Sequence, residues 1–430
     1  MTDNWELVEL GKVSSFISRG SSPSYADTGL LVLNQRCIRD QRIDWSHTRR
    51  TDTQTKRVSH ERHLRVGDVL VNSTGVGTLG RVAQVEALPE PATVDSHVTI
   101  VRPDPAHIDP MFLGFAIRAA ETDIEAMAEG STGQTELGRA RLAGLQIPRP
   151  PAAIQREIAE ILSCFDHKIE LNRNMNRNLE DLAATIFRAW FVDFEPVRAK
   201  AAGQTPAGMD AETAALFPDQ LVESALGDIP EGWRVSNIGT EVVVLGGSTP
   251  STREPAYWNG PHPFATPKDL SKLETPVLLS TERSITDSGL ARISSGLIPS
   301  RSVLMSSRAP IGYLAINEVA ASINQGMIAM VCDQYLSPYF VLAWARSSMA
   351  QIEARANGTT FLEVSKRNFR LVPVLVPADT IRAQFDQIAQ PLYERIVANE
   401  EQSGKLVELR DLLLPRLMSG ELRIPVSDTA

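Results

Sequence analysis

Two stretches decide how this chain is organised: IAEILSCFDHKIELNRNMNRNLEDLAATI, from Ile158 to Ile186, and FDQIAQPLYERIVANEEQSGKLVELRDLL, from Phe385 to Leu413. In the first, steps of three and four pick out Ile158, Ile161, Phe165, Lys168, Asn172, Met175, Leu179, Leu182 and Ile186. Adding 227 to each gives Phe385, Ile388, Leu392, Arg395, Asn399, Gln402, Leu406, Leu409 and Leu413. A seam at this spacing keeps one stripe of a helix facing a partner helix along its whole length. Both seams are interrupted at the same places, Lys168 with Arg395 and Asn172 with Asn399. Polar seam residues cost stability but fix register and orientation, so these four are the candidate register residues. Asn172 and Asn399 are the midpoints, so they are expected to meet and hydrogen-bond. Parallel and antiparallel pairing both allow this, and the seam alone does not choose. The plainer alternative, each helix packed only on its own domain, fits poorly with so long a heptad.

Working outward, the rest of the chain is also written twice. Trp5-Glu6-Leu7-Val8 is answered by Trp233-Arg234-Val235-Ser236, and Arg19-Gly20-Ser21-Ser22-Pro23 by Gly246-Gly247-Ser248-Thr249-Pro250. Val69-Leu70-Val71-Asn72-Ser73-Thr74 is answered by Val303-Leu304-Met305-Ser306-Ser307-Arg308, and Asp109-Pro110-Met111-Phe112 by Ser337-Pro338-Tyr339-Phe340. Leu145-Gln146-Ile147-Pro148-Arg149-Pro150 has its counterpart in Leu371-Val372-Pro373-Val374-Leu375-Val376-Pro377. The period is far longer than a solenoid repeat, so a domain has been duplicated. Short Val/Ile/Leu runs broken by Gly, Pro, Ser and Asn predict strands and turns with some helix in each copy.

Apolar residues make up 43% and charged residues 22% of the 430 positions, the balance of a folded globular chain of two or three domains. No apolar run is long enough for a membrane span, and the polar start lacks a signal-peptide pattern. Cys37, Cys164 and Cys332 are too scattered for a metal or disulfide framework, so a reduced, intracellular setting is expected. The net charge of -9 is unevenly spread. Between Arg36 and Arg65 stand nine Lys and Arg against four acids, whereas Asp193 to Asp228 carries seven acids against Arg198 and Lys200.

The segment after the first helix, Ile186-Phe187-Arg188-Ala189-Trp190-Phe191-Val192-Asp193-Phe194-Glu195-Pro196, resembles a hallmark of type I restriction-modification specificity subunits. Leu216-Phe217-Pro218, Ser224-Ala225-Leu226-Gly227-Asp228-Ile229-Pro230, Leu414-Pro415-Arg416-Leu417-Met418-Ser419-Gly420 and the helix start Gln155-Arg156-Glu157-Ile158 are similar to that family as well. The resemblance implies an α+β chain with two tandem homologous target-recognition domains, mixed and β-rich with helices, and two long helices forming an antiparallel coiled coil. Its expected parts are target-recognition domain 1 at 1–150, spacer helix 1 at 151–192 and an acidic connector at 193–228. Target-recognition domain 2 at 229–377, spacer helix 2 at 378–420 and a tail at 421–430 complete it. It implies double-stranded DNA as ligand, two methyltransferase subunits and restriction-motor subunits as partners, no membrane, and a cytoplasmic, nucleoid-associated place in a prokaryote. S-adenosylmethionine, ATP and Mg belong to those partners, leaving this chain no cofactor. A 29-residue seam spans on the order of 43 Å at about 1.5 Å per residue, slightly more than one turn of B-DNA. One departure stands out: Gln384 does not align with Gln155.

Signatures of chemistry are missing. There is no phosphate loop and no Asn/Asp-Pro-Pro-Tyr, and Pro218-Asp219 with Glu223 has Ala225 where a nuclease lysine would stand. Gly75-Val76-Gly77-Thr78-Leu79-Gly80 is followed by a strand-like run, which suits a hairpin rather than a dinucleotide site. A stand-alone restriction or methyl-transfer enzyme and a coiled-coil scaffold without base readout are therefore the weaker alternatives to a non-catalytic reader.

Base readout needs paired donors and acceptors on loops. The candidates in the first copy are Arg19, Ser21, Asn34, Gln35, Arg36, Arg39, Ser73, Thr74, Arg81, His97 and Gln134. In the second they are Thr249, Thr266, Lys268, Ser307, Arg308, Asn324, Gln325, Thr359, Lys366 and Arg367. Matched sites differ (Asn34 against Thr266, Thr74 against Arg308), so an asymmetric two-part target is expected.

Overall fold

The computed structural model describes residues 5–129, 135–358 and 362–424. The chain divides into two compact units, 1–169 with 405–430, and 170–404. The division falls inside both long helices, Ala152–Phe191 and Asp379–Ser419.

In the first unit an antiparallel sheet runs Ser14–Arg19, Val98–Pro103, Val69–Asn72, Val82–Gln84. Its two central strands are buried along their whole length. Alternate side chains serve opposite faces, as strand geometry requires. Val69, Val71 and Val101 pack with Phe112 of helix Pro110–Ala119, while Leu70 and Ile100 pack with Leu31, Leu33 and Val94. A second sheet, Ala92–Val94, Leu30–Leu33, Arg49–Thr51, Tyr25–Ala26, covers that other face, its first pair parallel.

The second unit repeats this plan. Val243–Gly246, Met327–Val331, Val303–Ser307 and Ile311–Asn317 stand in the same order, with Val277–Leu278 added at the edge. Trp258–Ala265 lies between Ser322–Ile323, parallel, and Arg283–Ile285, antiparallel. The matched Asp109 and Ser337 cap the matched helices Pro110–Ala119 and Pro338–Ser347, each accepting from the N–H three residues on. The glycine run 75–80 lies in the hairpin between Val69–Asn72 and Val82–Gln84, as its flanks suggested. Residues 193–228 are ordered structure rather than loose chain: helices Glu195–Ala201 and Ala211–Leu216, then strand Leu221–Ser224 paired with Gly227–Pro230. Phe194, Val197 and Phe217 join Trp190, Phe191 and Trp233 in the second unit's core.

Within each unit the long helices run antiparallel. In the second, Asn172 bonds Ser403, Asn176 bonds Glu400, and Phe187 meets Phe385, so partner numbers fall as helix numbers rise. In the first, Asp166 bonds Arg410 and Leu162 shares a core cluster with Leu414 and Leu417. The observed seam is Ile158, Leu162, Phe165, Ile169, Asn172, Asn176, Leu179, Ala183, Ile186. Its counterpart, still 227 later, is Phe385, Ala389, Leu392, Ile396, Asn399, Ser403, Leu406, Arg410, Leu413. Every second expected member was therefore one residue early. Ile169 and Ile396 take the places expected of Lys168 and Arg395, which are half-buried and exposed, because an unpaired charge in the seam would lose its hydration; Arg410, which does lie in it, is paired with Asp166 and Asp411. Leu182 and Leu409 remain about half exposed, at 47% and 48%. Asn172 and Asn399 do meet, though not amide to amide. Asn172 Nδ2 donates to the Asn399 main-chain oxygen (3.3 Å) and to Ser403 Oγ (3.1 Å), while Asn399 Nδ2 donates to Asn176 Oδ1 (2.8 Å). Ser403 is the counterpart of Asn176, so the bonds Asn172–Ser403 and Asn399–Asn176 are repeats of one another.

Among the described residues, no helix is long and apolar enough to cross a membrane.

Candidate nucleic-acid interface

The loops singled out by composition converge in each unit, and main-chain bonds that repeat between the units gather them. Ser73 N–H donates to the His97 carbonyl and Leu137 N–H to the Ser73 carbonyl; Ser307 N–H donates to Gly326 and Val364 N–H to Ser307. The carboxylate of Asp95 accepts from His97 N–H, as the amide oxygen of Asn324 accepts from Gly326 N–H. Gly20 and Gly247 thread between these loops. A Cβ on Gly20 would lie 1.9 Å from the Val94 carbonyl oxygen, and one on Gly247 1.7 Å from that of Ile323. Only glycine lets these backbones approach so closely.

On the first unit's lattice, Arg19 bonds the Glu136 carboxylate and, at 2.6 Å, the Leu137 carbonyl. Thr74 Oγ1 pairs with His97 Nδ1 (2.7 Å), and Asn72 Nδ2 donates to the Gln35 carbonyl (3.1 Å). Thr78 donates to Gln35 Oε1. These bonds bring Arg19, Gln35, Thr74 and His97 together. Asn34 spends its oxygen on Arg36 N–H in a tight turn that leaves the Arg36 side chain exposed. Ser21 is half-buried beside Gly20. Arg39 stands on a separate hairpin next to Asp40, and Arg81 folds back on the Gly77 carbonyl. Burial pushes the Asp95 carboxyl above its ordinary range, the His97 N–H opposing it.

On the second lattice, Thr249 donates to Gln325, Arg308 pairs with Glu363, and the Lys366 stem covers Gly246. Lys366 and Arg367 are exposed and carry no ion pair among the described residues. Several expectations are corrected. Ser73 and Ser307 are buried at 0% and 2% exposure, with the Ser73 hydroxyl bonded to Thr99, so neither side chain reaches a ligand. Thr266 completes a capping box with Asp269 on the short helix Pro267–Leu270, which consumes its hydroxyl. Lys268 is held with Lys272 on Glu282, whose carboxyl the two ammonium groups pull down to about 2. Gln134 and Thr359 lie outside the described residues.

The basic run from Arg36 to Arg65 is partly spent on the fold: Arg50 grips Glu90 with both terminal nitrogens, and Arg49 lies 3.5 Å from the Tyr25 ring centre. Composition passed over Glu136, Glu363 and the two threading glycines. The signal was present, for Glu363 follows Glu136, and Gly247 follows Gly20, at the 227 spacing of the helix seams.

The matches to known proteins follow the same duplication. Residues 41–181 and 230–407 each match the family model described as the type I restriction modification DNA specificity domain. The chain is 26% identical, over 97% of its length and all of the relative's, to the specificity subunit of the type I restriction enzyme HindI of Haemophilus influenzae. It is 28% identical to the MjaIX specificity subunit of Methanocaldococcus jannaschii, over 71% of this chain and 67% of that one. In fold it is similar to the crystal structure of the type I restriction-modification S subunit from M. genitalium, with a TM-score of 0.56 at 15% identity over 98% and 97% of the two chains. With two family domains laid over the two copies of one lattice, the chain belongs to the type I restriction-modification DNA specificity family.

Proposed function

We propose that this chain is the DNA-reading subunit of a type I restriction-modification complex and performs no bond chemistry itself. Each unit reads one half of an interrupted, asymmetric duplex target. The length of the long helices sets the gap between the halves. Two modification subunits, which bind S-adenosylmethionine, and restriction-motor subunits, which use ATP and Mg, assemble on it in the cytoplasm at the nucleoid. The domain limits proposed from sequence, 1–150 and 229–377, delimit the two readers.

One observation carries this reading: the two units keep the same main-chain bonds around Ser73 and Ser307 while the side chains between them differ. A scaffold without readout has no need to vary those side chains. Co-expression with the modification subunit in a methylation-free host, followed by sequencing of modified adenines, tests it. A split, asymmetric motif that vanishes when this chain is omitted supports the reading; modification independent of this chain refutes it.

A further inference from the structure

The carboxylates of Glu136 and Glu363 belong to no expected contact set, yet they occupy matched places and each holds an arginine. The main chain of Glu136 is bridged to Thr74 and Glu129, and that of Glu363 to Arg308 and Asn357. The backbone that carries each carboxylate is therefore held from two sides. Glu136 binds Arg19 from the end of strand Ser14–Arg19, while Glu363 binds Arg308 at 3.5 Å from the loop after Val303–Ser307. The counterpart of Arg19 is Gly246, and the counterpart of Arg308 is Thr74. The acid has stayed in place and the arginine has moved.

From this geometry we infer that Glu136 and Glu363 are positioning residues that aim Arg19 and Arg308 at guanine. Each half-site then contains a G·C pair, set at a different place relative to the lattice. The inference rests on the DNA-reading function proposed above and deepens it. An ion pair this exposed, with side chains at 24% and 61% in one case and 37% and 43% in the other, contributes little to stability. Stability alone also gives no reason to keep the acid and shift the cation. Readers of two different sequences do have such a reason. The planar guanidinium fork matches O6 and N7 of guanine. Arg19 commits one terminal nitrogen to Glu136 and the other to Leu137 O, leaving further N–H groups free. A fork already held by a carboxylate loses less rotamer freedom on binding. The adjacent negative charge also opposes capture of the arginine by phosphate, which favours the base edge.

The test uses the full-length chain co-expressed with the modification subunit proposed above, selection from a randomised duplex library, and competition titrations at two salt concentrations. Wild type is expected to enrich an interrupted motif with a G·C pair in each half. Arg19→Lys keeps the charge and loses the fork, so it should lose about 5- to 150-fold of the guanine preference at one position of one half, the equivalent of about 1–3 kcal/mol. Its salt slope should be unchanged. Arg308→Lys should do the same in the other half only. Glu136→Gln and Glu363→Gln should narrow the ratio of specific to nonspecific binding while raising nonspecific affinity, a direction that a merely structural role does not produce. A half-site without G·C, an unchanged preference in both lysine variants, or a loss uniform across all sequences overturns the inference and leaves the DNA-reading function standing. Absence of any sequence preference in wild type removes that function as well.

Discussion

The central polar layer of the helix pair makes a prediction whose size follows from its bonds. Asn176 and Asn399 are 1% and 2% exposed, and the only donor bonded to Asn176 Oδ1 among the described residues is Asn399 Nδ2, at 2.8 Å. Asn399→Leu strands that oxygen while Asn176 Nδ2 stays bonded to Glu400. An unsatisfied buried acceptor costs about 1–3 kcal/mol, and Asn176→Leu strands the Asn399 amide at similar cost. Replacing both leaves two apolar groups in contact, so the double variant should fall short of the summed single losses by about 1–2 kcal/mol. Asn172→Leu should behave differently. Its own Oδ1 is already without a partner; of the groups its Nδ2 bonds, the Asn399 carbonyl lies within a continuous helix, while Gln402 is exposed and Ser403 half-buried, so both can turn to water. Its effect should stay within about 1 kcal/mol. Opening free energies from hydrogen exchange of peptides covering 170–185 and 395–404 read this locally, which a whole-chain melting curve does less directly in a protein of two units. Additive losses for Asn176 and Asn399, within about 0.5 kcal/mol, would refute the idea that the layer acts as one network.

Three further outcomes are expected. Gly20→Ala and Gly247→Ala each drive a Cβ into a main-chain oxygen and should cost at least about 1–3 kcal/mol, with loss of recognition confined to the half-site of the altered unit; an unchanged melting temperature counts against the close approach. Asp68→Asn should cost about 3–5 kcal/mol in thermal unfolding, because Asp68, 1% exposed, holds Arg102 through two 2.7 Å bonds in the core; Glu90→Gln, at an exposed pair, should leave unfolding unchanged. Glu241 is held below its ordinary value of 4.5, first by the Arg234 guanidinium and then by Ser236, against its burial. A lowered carboxyl contributes stability above that value and loses it as pH falls through the folded value. Protection factors at the Arg234–Asn237 and Pro373–Val376 strand pair should therefore fall below about pH 4.5, and Glu241→Gln should abolish that pH dependence.

Much of the architecture was legible because duplication prints itself twice. The repeat spacing located both long helices, and polarity at Asn172 and Asn399 located the layer where they meet. Which face of each helix lies in the seam was only half legible. Ile161 and Leu162, or Ile388 and Ala389, offer neighbouring apolar positions, and a wide apolar stripe admits two heptad registers one residue apart. Tertiary burial chose between them by excluding Lys168 and Arg395. Site residues were harder to read for a related reason. Ser73 looks like Ser21 in sequence, yet one hydroxyl is buried on Thr99 and the other is half-exposed, a difference set by strand pairing and not by residue type.

The same comparison separates scaffold from reader inside each unit. Positions whose role is to hold the loops repeat in kind: Gly20 with Gly247, Ser73 with Ser307, Asp95 with Asn324, Glu136 with Glu363. Each takes part in a close approach or a bond that recurs in the other unit. Positions that reach outward from that frame do not repeat: Arg19 with Gly246, Thr74 with Arg308, His97 with Gly326. Drift alone would scatter differences over both classes. Among these pairs the frame shows one change, the acid Asp95 for the amide Asn324, whereas every outward pair differs in kind; that is the pattern of two readers sharing one frame and set to different sequences, and transplanting Gly246 and Arg308 onto Arg19 and Thr74 should therefore shift the first half-site while leaving the second untouched.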